Sequence, residues 1–481
     1  MTEVKRIAQN TIIQVFGKAL TITLALIGFG LVTRYLGQKD FGYFSTIYAF
    51  LAIFSILVDL GLQMTTTKLI SDPAEDESKI LSNALTIRLL TSLLFLSLAV
   101  LVAGFLPYPK IVKVGMTIAV LGFTASSLTS TITSFFQKHL IIHQAVIAEI
   151  GAKAIYLILT FSAVYFNLGL LGILLAAILD SVFIFIFSFV FVTRKTSLKL
   201  SFEKEVWRKI LVYTWPIGLT IALNLIYFKG DTFIMSLIRS PQEVGLYAAP
   251  YKILEVLINM AYLFLGLILP VLATNIAVNN TEKIKNILQA TFDFLAILTI
   301  PMIVGGYFLG VPLMVLMAGV DFTISGQIIK ILLLATGIIF ISGLFGYTVV
   351  ALGKQQQMIK FYAVNAVLSV IGYLIFIPRY SYWGAAWMTV FSEVFILFTA
   401  SYILYRNLKF LPNQKILVKA VASSLIMAIP LFSFPDLPFL VSVCLGGAVY
   451  FLALYVFKGL DTKLILEVIK IKKDETVSNQ P

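Results

Sequence analysis

The sequence predicts an all-α polytopic membrane protein of about 14 transmembrane helices, arranged as two six-helix lobes related by a parallel repeat, with two further helices at the C-terminal end. Three observations predict it. The 481 residues are 59% hydrophobic and only 12% charged, with a mean hydropathy of +0.98, far outside the range of soluble globular chains. Apolar runs of roughly 20 residues recur from end to end, each long enough to cross about 30 Å of hydrocarbon. Short patterns in the first half of the chain return in the second.

The runs fall at residues 11–33, 41–69, 80–106, 111–136, 144–166, 168–192, 210–238, 243–276, 284–309, 324–352, 358–377, 381–405, 416–434 and 437–457. The first is too long for a signal-peptide core, starts among Asn10, Thr11 and Gln14, and has no small-residue cleavage site, so it is expected to stay in the mature protein. Between the first and second runs stands Asp40-Phe41-Gly42, the letters of a kinase metal loop. The Gly-rich phosphate loop, strand lysine and soluble lobe that such a site needs are missing from the sequence. The stretch reads instead as an extracellular turn, with Gly37 and Gly42 supplying backbone freedom and Asp40 at the N-terminal end of the second span. The short run at residues 313–317 is left open as a re-entrant segment.

Residues 193–209, TRKTSLKLSFEKEVWRK, form the longest polar connection and separate six spans from the next six. The expected organisation is an N-terminal six-helix lobe over 1–193, a basic cytoplasmic linker over 194–209 and a C-terminal six-helix lobe over 210–405. Residues 406–481 add two helices and a basic cytoplasmic tail. The linker pattern allows a surface helix with Phe202, Val206 and Ile210 on one face and Lys199, Lys204 and Arg208 reaching for anionic lipid.

The halves echo each other. Residues 40–45, DFGYFS, align with 243–248, EVGLYA, at a shift of 203, which also places Tyr48 on Tyr251. Ser181-Val182-Phe183-Ile184 aligns with Glu393-Val394-Phe395-Ile396 at a shift of 212, with Gly172 on Gly384. Six spans return the chain to its starting side, so the two copies are parallel and related by an axis along the membrane normal. Spans 13 and 14 lie outside the repeat, on a flank where a lipid tail can run.

Net charge is +13, from 36 Lys and Arg against 23 Asp and Glu. With the N-terminus inside, about 24 basic residues land on the cytoplasmic side, about 6 outside and about 6 within spans, as the positive-inside rule expects. The excess is therefore a topology signal and not a nucleic-acid signal. The expectation is a multi-pass chain of the cytoplasmic membrane with both termini inside. The single cysteine, Cys444, excludes a disulfide framework. His139 and His143 are one helix turn apart with no acid between them, too little for a metal site. No phosphate-binding Gly-x-x-x-x-Gly-Lys loop is present, so no ATP or other cofactor is expected; membrane potential or a coupled ion is the candidate energy source.

Charges within spans cost roughly 2.5 to 3.5 kcal/mol each at the bilayer centre, so they face water or one another. They are Lys18, Asp59, Arg88, Asp180, Lys229, Asp231, Lys252, Glu255, Asp293, Lys330 and Glu393. Counting from the first outer turn puts Lys18 and Asp59 at one level, with Arg88 near it. Counting from Pro241 puts Asp231 and Lys252 at a common depth of about 15 to 17 Å. Both pairs are geometrically open to ion pairing. Glu149 and Lys153 are placed for an i, i+4 pair, and Gly306 and Gly310 for helix packing.

The segments RIAQNTIIQVFGKAL, TRYLGQKDFGYF, ILVDLGL, YFKGDTFIMSLIRSPQEVGLYAAPYKILEVL, LPVLA and YWGAAWMTVFSEVFI together resemble the polysaccharide-biosynthesis (Wzx-type) oligosaccharide flippases. That family belongs to the MOP superfamily, with the MATE exporters and the peptidoglycan-precursor flippases. The resemblance covers the first 12 spans and implies two six-helix lobes in a V. It implies translocation of an undecaprenyl-diphosphate-linked oligosaccharide from the cytoplasmic to the outer leaflet by alternating access. It also implies a charged cleft, which lands on Lys18, Asp59, Arg88, Lys229, Asp231, Lys252 and Glu255. The partners it implies are the anionic lipid-linked glycan, membrane lipids and other polysaccharide-assembly membrane proteins, with no nucleic acid. Tyr227, Tyr247, Tyr251 and Tyr262 are placed to offer aromatic faces to sugars.

Two other classes compete. A MATE-like cation-coupled exporter shares the architecture and predicts an uncompensated carboxylate in one lobe; Asp180, Asp293 and Glu393 are the candidate coupling carboxylates. A membrane glycosyltransferase or polymerase needs catalytic acids on an outer loop, whereas Asp40, Glu243, Asp321 and Asp436 stand alone on short ones.

Overall fold

The computed structural model describes residues 3–459; the side chains of residues 3–15, 216, 217, 219–221 and 224–228 lie outside the description. Every predicted apolar run is largely helical, the second being interrupted at Leu60 and Gly61 between α1 and α2, and no strand occurs among the described residues. The helices are α1 (Glu3–Asp59), α2 (Leu62–Ile70), α3 (Glu77–Phe105), α4 (Lys110–Lys138), α5 (Ile142–Tyr165), α6 (Gly169–Thr193) and α7 (Lys204–Ile238). They continue as α8 (Pro241–Ala277), α9 (Thr281–Ala318), α10 (Thr323–Ala351), α11 (Gln355–Leu408), α12 (Lys415–Ser433) and α13 (Phe439–Val456). Among the described residues, 11 helical stretches are long and apolar enough to cross a membrane.

Two long helices carry two predicted runs each, because one residue in each breaks the helical path. Gly37 (φ 63°, ψ −175°) breaks α1, and Ser381 (φ 51°, ψ −133°) breaks α11. Glycine takes this conformation without the Cβ penalty that Ser381 bears. The run at residues 313–317 is not re-entrant: it forms the last turns of α9, which ends where Gly319 turns to φ 102°.

Burial follows the logic of a lipid-facing chain. Large apolar side chains such as Phe105 are exposed, while Arg88, Asn83 and Asn365 are at most 1% exposed. In hydrocarbon the polar groups must find partners inside the protein.

Two compact units form. The first comprises the chain up to Ala248 together with Val370–Tyr382, and the second comprises Ala249–Ser369 and the chain from Trp383 onward. In the first unit, α4 lies close against α1 and α6, because a Cβ at Gly115 would meet Ile47 and Leu174 and one at Gly122 would meet Ile178. In the second, α12 and α13 pack on α9 through Met427, Leu431, Tyr450 and Leu454. The Tyr450 hydroxyl donates to the Ile297 carbonyl at 2.8 Å. Gly306 and Gly310 of α9 abut Leu333 and Gly326 of α10.

The turns of the first unit are fastened in a repeated manner. Tyr35, just before the break in α1, donates to Asn167 Oδ1 at 2.9 Å and accepts from the Gly169 amide at 2.8 Å. Arg239, just before α8, donates to the carbonyls of Ile377 and Pro378 at 3.0 and 2.9 Å. Gly169 (φ 63°) and Ser381 (φ 51°) sit at equivalent positions under the shift of 212, and both have a positive φ.

The two echoed motifs also touch. A Cβ on Gly42 would overlap the Pro241 carbonyl oxygen, and one on Gly245 would overlap the Gln38 carbonyl oxygen. Residues 38 and 241 are themselves related by the shift of 203. The contact is therefore reciprocal, with each glycine clearing room for the backbone of the other copy.

The linker is not a lipid-lying helix. Residues 195–203 run without helix and α7 begins at Lys204. Val206 and Ile210 are buried against Leu62, Leu69, Ile70, Ile80, Ala84 and Ile87. Asn83 accepts from the Glu203 amide at 2.9 Å and from the Trp207 indole at 3.0 Å. Thr86 accepts from the Ser201 amide at 3.0 Å and Ser82 from the Lys199 amide at 3.2 Å. Lys79 pairs with Glu203 at 2.5 Å and holds that carboxyl below the usual carboxylate range. Of the face expected to meet lipid, Val206 and Ile210 meet α2 and α3 instead, and Phe202 stays exposed.

Candidate functional site

Within the first unit, the structure pairs the intramembrane charges differently from the depth count. Lys18 bonds Glu149 at 2.8 Å, and Asp59 pairs with Arg88 at 2.5 Å. Depth fixes only the level of a side chain; which way it points around its helix decides the partner. Likewise Lys153 turns to Asp180 at 2.6 Å, where it also lies 5.5 Å from the Tyr156 ring. Glu149 and Lys153 thus each reach across to another helix.

Arg88 is a lock. Its side chain is 1% exposed, and besides Asp59 it donates through Nε to Thr131 at 3.0 Å and through Nη1 to the Val58 carbonyl at 3.2 Å. α1 ends at Asp59, where Leu60 (φ 41°) and Gly61 (φ 85°) break the path. A helix end inside a membrane protein leaves carbonyls without intrahelical partners. The planar guanidinium fills that gap and couples it to α4.

Lys18 differs in kind. Its side chain is 38% exposed and that of Glu149 32%. In the second unit, Lys252 and Glu255 pair along one face of α8 at 3.2 Å, with side chains 47% and 31% exposed. These two pairs remain open enough for a polar ligand to compete for the ammonium.

Asp231 is 1% exposed and accepts from the Tyr247 hydroxyl at 2.7 Å and from its neighbour, the Thr232 amide, at 2.5 Å. Lys229, two residues earlier, is half-buried. Tyr247 and Tyr251 are buried, and the Tyr251 hydroxyl bonds Thr389 at 3.1 Å. Of the aromatic candidates, Tyr262 remains 40% exposed and stacks on Tyr347. The Tyr227 side chain falls outside the described residues.

Three carboxylates were the coupling candidates. Asp180 is neutralised by Lys153. Asp293 accepts from the Gln289 amide at 2.9 Å, and the same Gln289 ties α9 to Asn413 before α12. Glu393 is 4% exposed and has no ion-pair or hydrogen-bond partner among the described residues.

Sequence reading missed Asn365 and Ser369, one helix turn apart on α11. Both are fully buried, and their side-chain polar atoms are unpartnered among the described residues. Polar atoms left so in a membrane interior are costly. The i, i+4 spacing of two small polar residues in an apolar run was the available signal.

The fold is similar to that of the lipid II flippase MurJ in an inward closed conformation, with a TM-score of 0.77 at 18% identity over 94% of this chain and 98% of that one. It is similar to an inward-facing multidrug resistance MATE family transporter of the MOP superfamily, with a TM-score of 0.60 at 14% identity over 81% and 95% of the two chains. The Vibrio cholerae MATE transporter VcmN in its bent form gives 0.55 at 14% identity over 84% and 97%. Comparison with curated proteins gives no match. A family model described as "Polysaccharide biosynthesis protein" matches residues 7–276, more than half of the chain. On that match, and with a polytopic helical fold shared with MurJ and the MATE transporters, the chain belongs to the polysaccharide biosynthesis protein family.

Proposed function

We propose that the protein is a flippase that carries an undecaprenyl-diphosphate-linked oligosaccharide, a repeat unit of a cell-surface polysaccharide, across the cytoplasmic membrane. Family membership and the likeness to a lipid II flippase support a lipid-linked substrate. The observation that carries the reading is the pair of half-exposed ammonium groups, Lys18 beside Glu149 and Lys252 beside Glu255. A diphosphate is a stronger partner for an ammonium than one carboxylate is, so it can take Lys18 or Lys252 while the released acid stays hydrated. Two six-helix lobes, 1–193 and 210–405, would open the cleft to each side in turn, with both termini cytoplasmic. Arg88 would hold its lobe together without touching substrate.

A second reading rests on Glu393. A buried carboxyl without a partner is suited to bind a proton or cation, as a cation-coupled exporter of the MATE type would require. The same group would serve a flippase as its coupling site.

The test is depletion in the native cell followed by mass spectrometry of lipid-linked intermediates. Accumulation of a complete, cytoplasm-facing oligosaccharide lipid is expected. A normal lipid pool together with new drug sensitivity would replace the flippase reading with the exporter. Lys18→Ala and Lys252→Ala are each expected to reduce transport at unchanged protein level; full activity in both removes these cations from the mechanism.

A further inference from the structure

The break at Ser381 folds α11 back on itself, so its two ends lie side by side in the second unit. Between them is an open cavity of about 280 Å³ lined by Gln356, Gln357, Lys360 and Phe361 from one end and by Tyr402 and Arg406 from the other. No carboxylate lines it. Among the described residues, neither Lys360 nor Arg406 has an ion-pair partner, and the Lys360 ammonium lies 5.1 Å from the Phe361 ring. Two more cations bound the same helix, Lys354 just before α11 and Lys409 just past its end. The positive-inside count puts both ends at the cytoplasmic surface.

We propose that this cavity binds the phosphate head group of an anionic phospholipid of the surrounding leaflet. The ligand chemistry is a phosphodiester. Lys360 and Arg406 supply charge from two directions, and the amides of Gln356 and Gln357 and the hydroxyl of Tyr402 are the neutral donors. The Arg406 guanidinium is suited to grip two phosphate oxygens at once. Phe361 and the Tyr402 ring offer an apolar wall for the glycerol and upper acyl segments, as aromatic residues do at membrane interfaces. A cavity open to the membrane surface suits a ligand that stays in the leaflet. Two unpaired cations held together at the end of a helical hairpin repel each other, and a phosphate between them turns that repulsion into attraction. The bound lipid would clamp the two ends of α11 and stabilise the second unit in membranes rich in anionic lipid. This inference does not rest on the transport reading, since its readout is lipid retention.

The experiment uses the purified full-length protein in a neutral detergent. Native mass spectrometry counts bound phosphatidylglycerol and phosphatidylcholine, added at equal concentration, for the wild type and for the double variant Lys360→Gln, Arg406→Gln. Wild type is expected to retain phosphatidylglycerol preferentially. The double variant is expected to lose about 25-fold in that affinity, since each cation near an anionic lipid surface is worth about fivefold. Phosphatidylcholine binding should stay unchanged. A charge-keeping swap, Lys360→Arg with Arg406→Lys, should retain most of the preference.

Equal phosphatidylglycerol retention in wild type and the Gln variant overturns the proposal. So does displacement of the lipid by inorganic phosphate at concentrations comparable to the lipid, which would make the ligand a free anion. If the Gln variant does not fold, the wild type still decides: a preference for phosphatidylglycerol that survives molar salt unchanged refutes an electrostatic head-group site, and one that falls with salt supports it.

Discussion

The crossing of Gly42 and Gly245 yields a quantitative test of how the first unit is built. Alanine normally stabilises a helix interior by about 0.5 to 1 kcal/mol relative to glycine. At these positions the added methyl meets carbonyl oxygens of Pro241 and Gln38, which are backbone atoms and not flexible side-chain ends. Relief requires the two helix starts to separate, and overpacking of this kind costs about 1 to 3 kcal/mol. The clash therefore exceeds the propensity gain, and Gly42→Ala and Gly245→Ala should each destabilise by about 1 to 2 kcal/mol net.

Reciprocity adds a sharper condition. Once one methyl has pushed the helices apart, the second finds room already made, so the double variant should cost less than the sum of the singles by on the order of 1 kcal/mol. Thermal unfolding of detergent-solubilised protein measures all three. Gly104→Ala, at a position where a Cβ meets nothing within 4 Å, is the control and should be neutral or mildly stabilising. Unchanged melting of both single variants, or strict additivity in the double, would refute the reasoning.

Other expectations follow from the same contacts. Arg88→Ala leaves Asp59 without its counter-ion, Thr131 without its donor and the Val58 carbonyl with only the Thr91 hydroxyl at 3.5 Å, and should cost about 3 kcal/mol, seen as loss of folded protein; Asp59→Asn strands the charge of a guanidinium that is 1% exposed and should cost about as much. Asn83→Ala strands the Glu203 amide and the Trp207 indole and should free residues 195–203, read as faster trypsin cleavage at Lys195 and Lys199. The same segment should loosen in acid. Because the folded state depresses the Glu203 carboxyl, its contribution is present above the ordinary carboxylate range and is lost as pH falls through the lowered value; hydrogen exchange of residues 199–203 across that window checks the sign.

Each of the 11 helical stretches long and apolar enough to cross a membrane among the described residues contains a run that hydropathy alone located, because in lipid the backbone must be helical and its outer face apolar. The linker shows where that logic ends. Phe202, Val206 and Ile210 do form a stripe by spacing, but spacing does not say what covers it; Val206 and Ile210 face α2 and α3, while Phe202 stays exposed with its ring tilted against Trp207. Ion pairs were the least legible feature. The i, i+4 rule describes an isolated helix, and in a bundle Glu149 and Lys153 sit on α5 between other helices that offer Lys18 and Asp180. The depth count failed in the same way for Lys18 and Asp59. The Asp40-Phe41-Gly42 echo carried more than its letters promised, since the glycine repeated in both copies is the residue that the contact requires.

A contact in which position 38 of one copy faces position 42 of the other, and the reverse, has the form of an isologous dimer interface. Had the two copies been separate chains, a single glycine in one gene would have served both sides of that interface. Joined in one chain, the two glycines mutate independently, and losing either jams the crossing for both. Within one chain, the self-complementary requirement therefore falls on two residues, Gly42 and Gly245, instead of one.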